Sequence, residues 1–245
     1  MFNGLYAVLY RELTIYRKRA VKQMLSSSLS PLLFLIAFGW GFGRDVTVSG
    51  LPYIAFLIPG LITMNSLNQS FAISAEINIS RFYFHTFDEY LIAPVSHAGI
   101  VIGEAVFGVF RGLLATLIIF IYAFIFNVSL SFNPLFFAAI LLHTFIFSFL
   151  AVTTSMVVKD HSGQALVNNF VITPMIFLCG TFYPIDKLPY AFKLLVYVFP
   201  LTYSTKVIRA ALTGGEVSFI YVGLMMFYCI IFFLTSLWAL RSAEA

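Results

Sequence analysis

Long uncharged apolar blocks alternate along the chain with short clusters of charge. Residues 3–22 place Leu5, Val8, Leu9, Leu13 and Tyr16 near helical spacing, with Arg11, Glu12, Arg17, Lys18, Arg19 and Lys22 interleaved. This is the pattern of a basic amphipathic helix lying in a lipid headgroup layer. The other reading, the charged leader of a signal peptide, needs a small-residue cleavage site, and Phe42-Gly43-Arg44 is not one. Gln23 to Gly43 then offers 21 uncharged residues, enough for one span when a helix needs about 20. A second uncharged run, Val46 to Ala75, contains Pro52 and Pro59-Gly60 and ends at Glu76; a helix entering near Pro52 and bent near Pro59 is expected.

A polar loop follows, about residues 78–97, with Arg81, His85, Asp88, Glu89 and His97. Inside it, Phe87-Asp88-Glu89-Tyr90-Leu91-Ile92-Ala93-Pro94 reads as a small amphipathic helix. Its carboxylates stand at the start, where a helix N-terminus favours them, and Pro94 stops it. An ordinary polar turn is the alternative. Gly112 to Val158 is free of charge over 47 residues, too long for one helix and right for the rest of one span and all of the next, with the turn at Asn127 to Pro134. Lys159-Asp160-His161 closes that block, and Ser162 to Ile185 supplies 24 further uncharged residues. The stretch of about 183–215 mixes Pro184, Pro189 and Pro200 with scattered charge and strong apolar residues. It reads as short re-entrant or interfacial helices. The predicted spans are therefore about 24–43, 52–76, 98–126, 134–158, 163–182 and 217–240. The expected fold is an all-α integral membrane domain covering residues 1–245.

Composition agrees. The 245 residues are 61% hydrophobic and 10% charged, against roughly 25% charged in soluble domains. Phe alone supplies 29 residues, which suits lipid or an apolar passage. The net charge of +4 does not call for nucleic acid, because five basic residues crowd between Arg11 and Lys22 beside the first span. An even number of spans puts both termini on one side. The dense basic cluster makes that side cytoplasmic, with the 78–97 loop beside it and the proline-rich stretch outside.

Little reaction chemistry is present. There is no phosphate-cradling Gly-x-x-x-x-Gly-Lys pattern, so ATP hydrolysis is not expected of this chain, and no zinc-protease or nucleophile-elbow motif occurs. The chain is read as not an enzyme. His85, His97, His143 and His161 are too scattered for a shared metal, and Cys179 and Cys229 read as small buried hydrophobes. Charges inside spans are costly and usually functional, which singles out Glu76, Glu104 and Arg111. Glu104 and Arg111 lie two turns apart on one helix face, either as a structural clamp or as part of an ion relay.

The series of motifs resembles the permease subunits of the ABC transporter type-2 family, drug and lipo-oligosaccharide exporters among them. Tyr53-Ile54-Ala55-Phe56-Leu57-Ile58-Pro59-Gly60-Leu61 is similar to the family's Pro-Gly-Leu opening of span two. Asp88 to Val95, then Gly103 and Arg111-Gly112, is similar to its acidic loop and span three. Gly180 to Pro189, Pro200-Leu201-Thr202-Tyr203 and Arg209 are similar to its outer helices. Tyr90 stands where Leu is usual, and Glu104 where a basic or neutral residue is common. The resemblance implies a homodimer or heterodimer of permeases in a cell inner membrane, surrounded by lipid. Two copies of a separate ATP-binding-cassette subunit, carrying ATP and Mg, would dock on its cytoplasmic face. It makes Phe87, Asp88, Glu89, Tyr90, Leu91 and Pro94 a coupling helix, braced by the interface helix with Arg11, Glu12, Arg17 and Arg19. Pro184, Pro189, Pro200, Tyr203 and Arg209 would form the outer exit. The rival class is an ion-coupled carrier or channel running on Glu76, Glu104 and Arg111.

Overall fold

A computed structural model describes residues 2–43, 46–87, 89–90 and 95–244. Asp88, Leu91 and Pro94 of the expected coupling helix lie outside the described residues.

Helix α1 (Phe2–Arg17) is amphipathic as its spacing predicts. Gly4, Val8, Glu12 and Tyr16, four residues apart, form its buried stripe, and Tyr6 and Tyr10 stack on the opposite face. Helix α2 (Ala20–Phe34) contains Pro31, which has no N–H to donate, and passes into a wider π-helical stretch over Leu35–Phe42. A two-residue hairpin, β1 (Thr47–Val48) with β2 (Leu51–Pro52), turns the chain into α3 (Tyr53–Phe71).

Helix α3 is the centre of the molecule, buried almost throughout against the three helices that follow from later sequence. It runs unbroken through Pro59; the interruption comes at Ala72, before α4 (Ile73–Phe82). Helix α4 thus carries the chain past Glu76 to Phe82, further than the charge pattern suggests, and the polar loop begins at Tyr83 instead of Asn78. The reason lies in what its polar side chains do. The Asn78 Nδ2 donates to the Val158 carbonyl at 2.9 Å, and the Arg81 guanidinium to the carbonyls of Met156 at 2.7 Å and Ala243 at 3.5 Å. These are unsatisfied carbonyls at the ends of two other helices, and a cation there also answers their dipoles.

Helix α5 (His97–Ile125) is capped by the Ser96 hydroxyl, which accepts from the Gly99 N–H. Helix α6 (Pro134–Val157) is capped by Asn133, with Pro134 in its first turn. Helix α7 (His161–Val167) starts on an Asp160 cap and continues through a π-helical turn (Asn168–Ile172) into α8 (Thr173–Leu178). A 3-10 turn (Ile185–Lys187), α9 (Tyr190–Val196) and α10 (Pro200–Thr213) each begin just after or at a proline, at Pro184, Pro189 and Pro200. Helix α11 (Phe219–Glu244) completes the chain.

Among the described residues, four helical stretches are long and apolar enough to cross a membrane: 20–41, 97–125, 134–157 and 219–243. The α9–α10 pair, bent by 88°, is a broken span or a re-entrant loop. The polar residues Asn65, Asn68 and Gln69 in α3, and Gln164, Asn168 and Asn169 in the α7–α8 stretch, explain why those two segments are less apolar than the rest. Helix α1, the end of α4, the start of α5 and the last turn of α11 gather at one end of the bundle. The hairpin and the 179–217 stretch gather at the other, tied by the Tyr53 hydroxyl donating to the Phe182 carbonyl at 2.8 Å.

Candidate functional site

At the end of the bundle that holds α1, one arginine organises the contacts. Arg11 Nη1 donates to Glu12 Oε1 at 2.9 Å and to the Tyr90 hydroxyl at 3.1 Å. Its Nη2 donates to Thr86 Oγ1 at 2.9 Å and to Ser80 Oγ at 3.4 Å, and the two hydroxyls are 2.7 Å apart. The planar guanidinium lies over the Tyr90 ring, 5.1 Å from its centroid. A single fork of five donors therefore ties α1, the end of α4 and the 83–90 loop together. Burial pulls the Arg11 pKa down, but the Tyr90 hydroxyl and the charges of Glu12 and Glu104 outweigh it, so the guanidinium stays charged. Burial and the Glu104 carboxylate push the Tyr90 phenol up, keeping it neutral and able to accept. Burial also raises the Glu12 carboxyl, against the pull of Arg11.

Phe87 is 1% exposed and turned into the bundle, its ring meeting Tyr90 edge-on at 5.5 Å. It anchors the loop, and Glu89 is exposed. Arg17 and Arg19 are exposed at the α1–α2 joint.

A second cluster sits deeper. Arg111, 1% exposed, donates from Nη1 to Glu76 Oε1 at 2.6 Å and from Nη2 to Gln69 Oε1 at 3.2 Å, and Gln23 Nε2 reaches the same Glu76 oxygen at 3.2 Å. Its guanidinium lies 5.6 Å from the Tyr16 ring and 5.8 Å from the Phe107 ring. Arg111 thus clamps α5 to α3 and α4, while Glu104, on the same helix, lines the cavity between the bundle and α1. Sequence reasoning did not reach Ser80, Thr86, Gln69 or Gln23, uncharged residues outside any motif.

The opposite end has its own node. Arg209 Nη2 donates to the Gly180 carbonyl at 2.7 Å and to that of Thr181 at 3.4 Å, its Nε donates to the Phe56 carbonyl at 3.3 Å, and the guanidinium lies 3.8 Å from the Phe56 ring centroid. A side chain at Gly60 would collide with the Thr181 carbonyl. The Pro-Gly motif, the Gly180 stretch and Arg209, far apart in sequence, therefore meet at one point. Tyr203 donates its hydroxyl to the Tyr197 carbonyl at 2.6 Å, closing the bend between α9 and α10. No group of three metal-ligating side chains occurs among the described residues.

These are the places where the motif series falls, and residues 3–213 match the ABC-2 type transporter family. The chain belongs to that family. An ABC-2 chain of this kind is the membrane permease subunit of an ABC transporter, without an ATPase domain of its own, and such permeases work with an ATP-binding subunit. It is 28% identical over 236 residues to Nodulation protein J of Sinorhizobium fredii, covering 94% of this chain and 90% of that protein. Identity to Nodulation protein J of Bradyrhizobium diazoefficiens is 27% over 241 residues, with the same coverage of 94% and 90%. Identity to the inner membrane transport permease YadH of Escherichia coli is 26% over 214 residues, 86% of this chain and 83% of that one. In this ABC-2 permease the Arg11 node joins α1 to the loop, and the Arg209 node joins the Pro59-Gly60 and Gly180 segments at the opposite end.

Proposed function

We propose that this chain is half of the membrane part of an ATP-driven exporter, moving an amphipathic or hydrophobic cargo out of the cytoplasm by alternating access. In this reading the chain crosses the membrane six times, with α3–α4 and α7–α8 completing the four more apolar spans, and both termini are cytoplasmic. A second permease chain, identical or related, completes the membrane part. Two copies of the ATP-binding subunit, holding ATP and Mg, dock beside the loop.

The observation that carries the reading is the Arg11 node. An ATPase that pushes on the segment holding Thr86 and Tyr90 cannot move it independently of α1, because Arg11 of α1 bonds both. Movement of the loop then becomes tilting of helices, a rigid-body transition. Two of the three charges an ion-coupled carrier would use, Arg111 and Glu76, are engaged instead with each other, holding helices together.

Co-purification tests the proposal first. The tagged chain, extracted in mild detergent from its native cell, is expected to bring a stoichiometric ATP-binding-cassette protein, and to lose it when residues 87–91 are scrambled. In the reconstituted complex, Arg11→Ala should leave ATP hydrolysis running while transport falls by about tenfold or more, since the bonds lost are charge-assisted. Transport that persists unchanged in Arg11→Ala would make the node a mere brace.

A further inference from the structure

The cavity under α1 is about 750 Å³ in volume and is lined by the acidic Glu12, Glu76 and Glu104 and the basic Arg11, Arg19 and Lys22. Glu104 stands in its depth, 2% exposed, with no hydrogen bond or ion pair to its carboxylate among the described residues. Its acidic neighbours are taken: Glu12 by Arg11 and Glu76 by Arg111. Three carboxyl groups face two guanidiniums there, so Glu104, which Arg11 reaches only through space, has no basic side chain of its own. At the rim stand Arg19 and Lys22, both exposed, neither in an ion pair with a described residue. Apolar wall lies between, including Ile15 and Ile77.

A carboxyl buried without a partner resists ionisation, and a bound cation would favour its ionised form. The rim, set where α1 meets the first turn of α2, asks for an anion. A ligand that answers both ends carries a cation at its tip and a phosphate a few bonds behind it, with apolar chains trailing outward. We propose that this cavity binds the headgroup of a zwitterionic aminophospholipid, its primary ammonium on Glu104 and its phosphate between Arg19 and Lys22. The order of groups along the lipid matches the order along the cavity: tip ammonium deepest, phosphate at the rim, acyl chains in the membrane. A primary ammonium has three N–H donors for the carboxylate. A choline headgroup has none, and an anionic glycerol headgroup leaves Glu104 unanswered. The inference rests on α1 lying in the headgroup layer and is independent of how the ATPase couples.

The test is native mass spectrometry on the delipidated full chain, titrated in detergent with phosphatidylethanolamine, phosphatidylglycerol and phosphatidylcholine of matched acyl chains. Phosphatidylethanolamine should be retained about tenfold better than either rival, the equivalent of roughly 1.4 kcal/mol. Glu104→Gln should bring it down to the phosphatidylglycerol level and leave the latter unchanged. Glu104→Asp, which keeps the charge, should keep the preference. Arg19→Gln with Lys22→Gln should weaken both phosphatidylethanolamine and phosphatidylglycerol. Equal retention of the three lipids by the unaltered chain overturns the proposal, as does a preference that survives Glu104→Gln. Soluble phosphoethanolamine displacing the lipid at equal concentration would also overturn it, making the site one for a free solute. Because the readout is bound lipid on the permease chain alone, it is unaffected by whether an ATP-binding partner co-purifies.

Discussion

Arg111 is a guanidinium almost wholly removed from solvent, and its behaviour is set by who shares it. Glu76 supplies the counter-charge with a carboxylate that is itself 42% exposed, and Gln69 supplies a neutral acceptor. Removing one partner of a buried pair is worse than replacing both. Glu76→Gln should therefore lower the thermal midpoint in detergent, by the equivalent of roughly 2 kcal/mol once the exposure of Glu76 is allowed for. Adding Arg111→Met to it should recover most of the loss, and a double variant less stable than Glu76→Gln would show that the guanidinium is held by something else. Arg111 and Glu104 stand out in the sequence, because charge in an apolar block is conspicuous. Which residue pairs with Arg111 was not, since Glu76 lies 35 positions away and the pairing depends on how α4 packs. The same holds for Arg11 and Tyr90, 79 positions apart.

At the level of elements, close approach is what glycine provides. A Cβ on Gly103 would stand 2.9 Å from the Val8 side chain, so α1 lies on α5 only because that position is bare. On Gly112 it would collide with the Ser70 hydroxyl, which sets how near α5 comes to α3. Gly103→Leu should lift α1 from the bundle. Hydrogen exchange is expected to rise over 5–16 and stay unchanged over α6, whereas protection of α1 equal to the unaltered chain would mean the helix is held by its own ends. The starts of α3, α6 and the short helices of the 183–215 stretch were legible, from Pro52, Asn133-Pro134 and the prolines of that stretch. The end of α4 was not. Asn78 and Arg81 read as loop residues because charge and amide usually mean solvent, and here they are spent on the carbonyl ends of other helices.

For the whole molecule, what stays uncovered is informative. Helices α2 and α11 turn most of their apolar surface outward, as lipid-facing helices do. The α7–α8 stretch is different, because Asn168 and Asn169 are exposed midway along it beside Phe170. Amides directed at hydrocarbon are costly, and side chains of this kind turn toward other helices or water. A second permease chain should therefore meet this face. In a background of Cys179→Ser and Cys229→Ser, Asn168→Cys is expected to cross-link two copies in membranes, while Phe227→Cys on α11 stays monomeric. Cross-linking through Phe227→Cys instead would put the partner on the other side of the molecule. The all-α membrane class could be read from composition and the spacing of charge; which surface stays uncovered could be read only from the packing.

Arg81 joins the last turn of α11 to the end of α4 and to α6. Whatever displaces the neighbouring loop will therefore tug on the end of α11 as well, so that end is no idle appendage. A fluorophore at Ser242→Cys should register each turnover cycle as a change in signal, although it touches neither cargo nor nucleotide. An affinity handle fused close behind Ala243 risks damping the very motion under study.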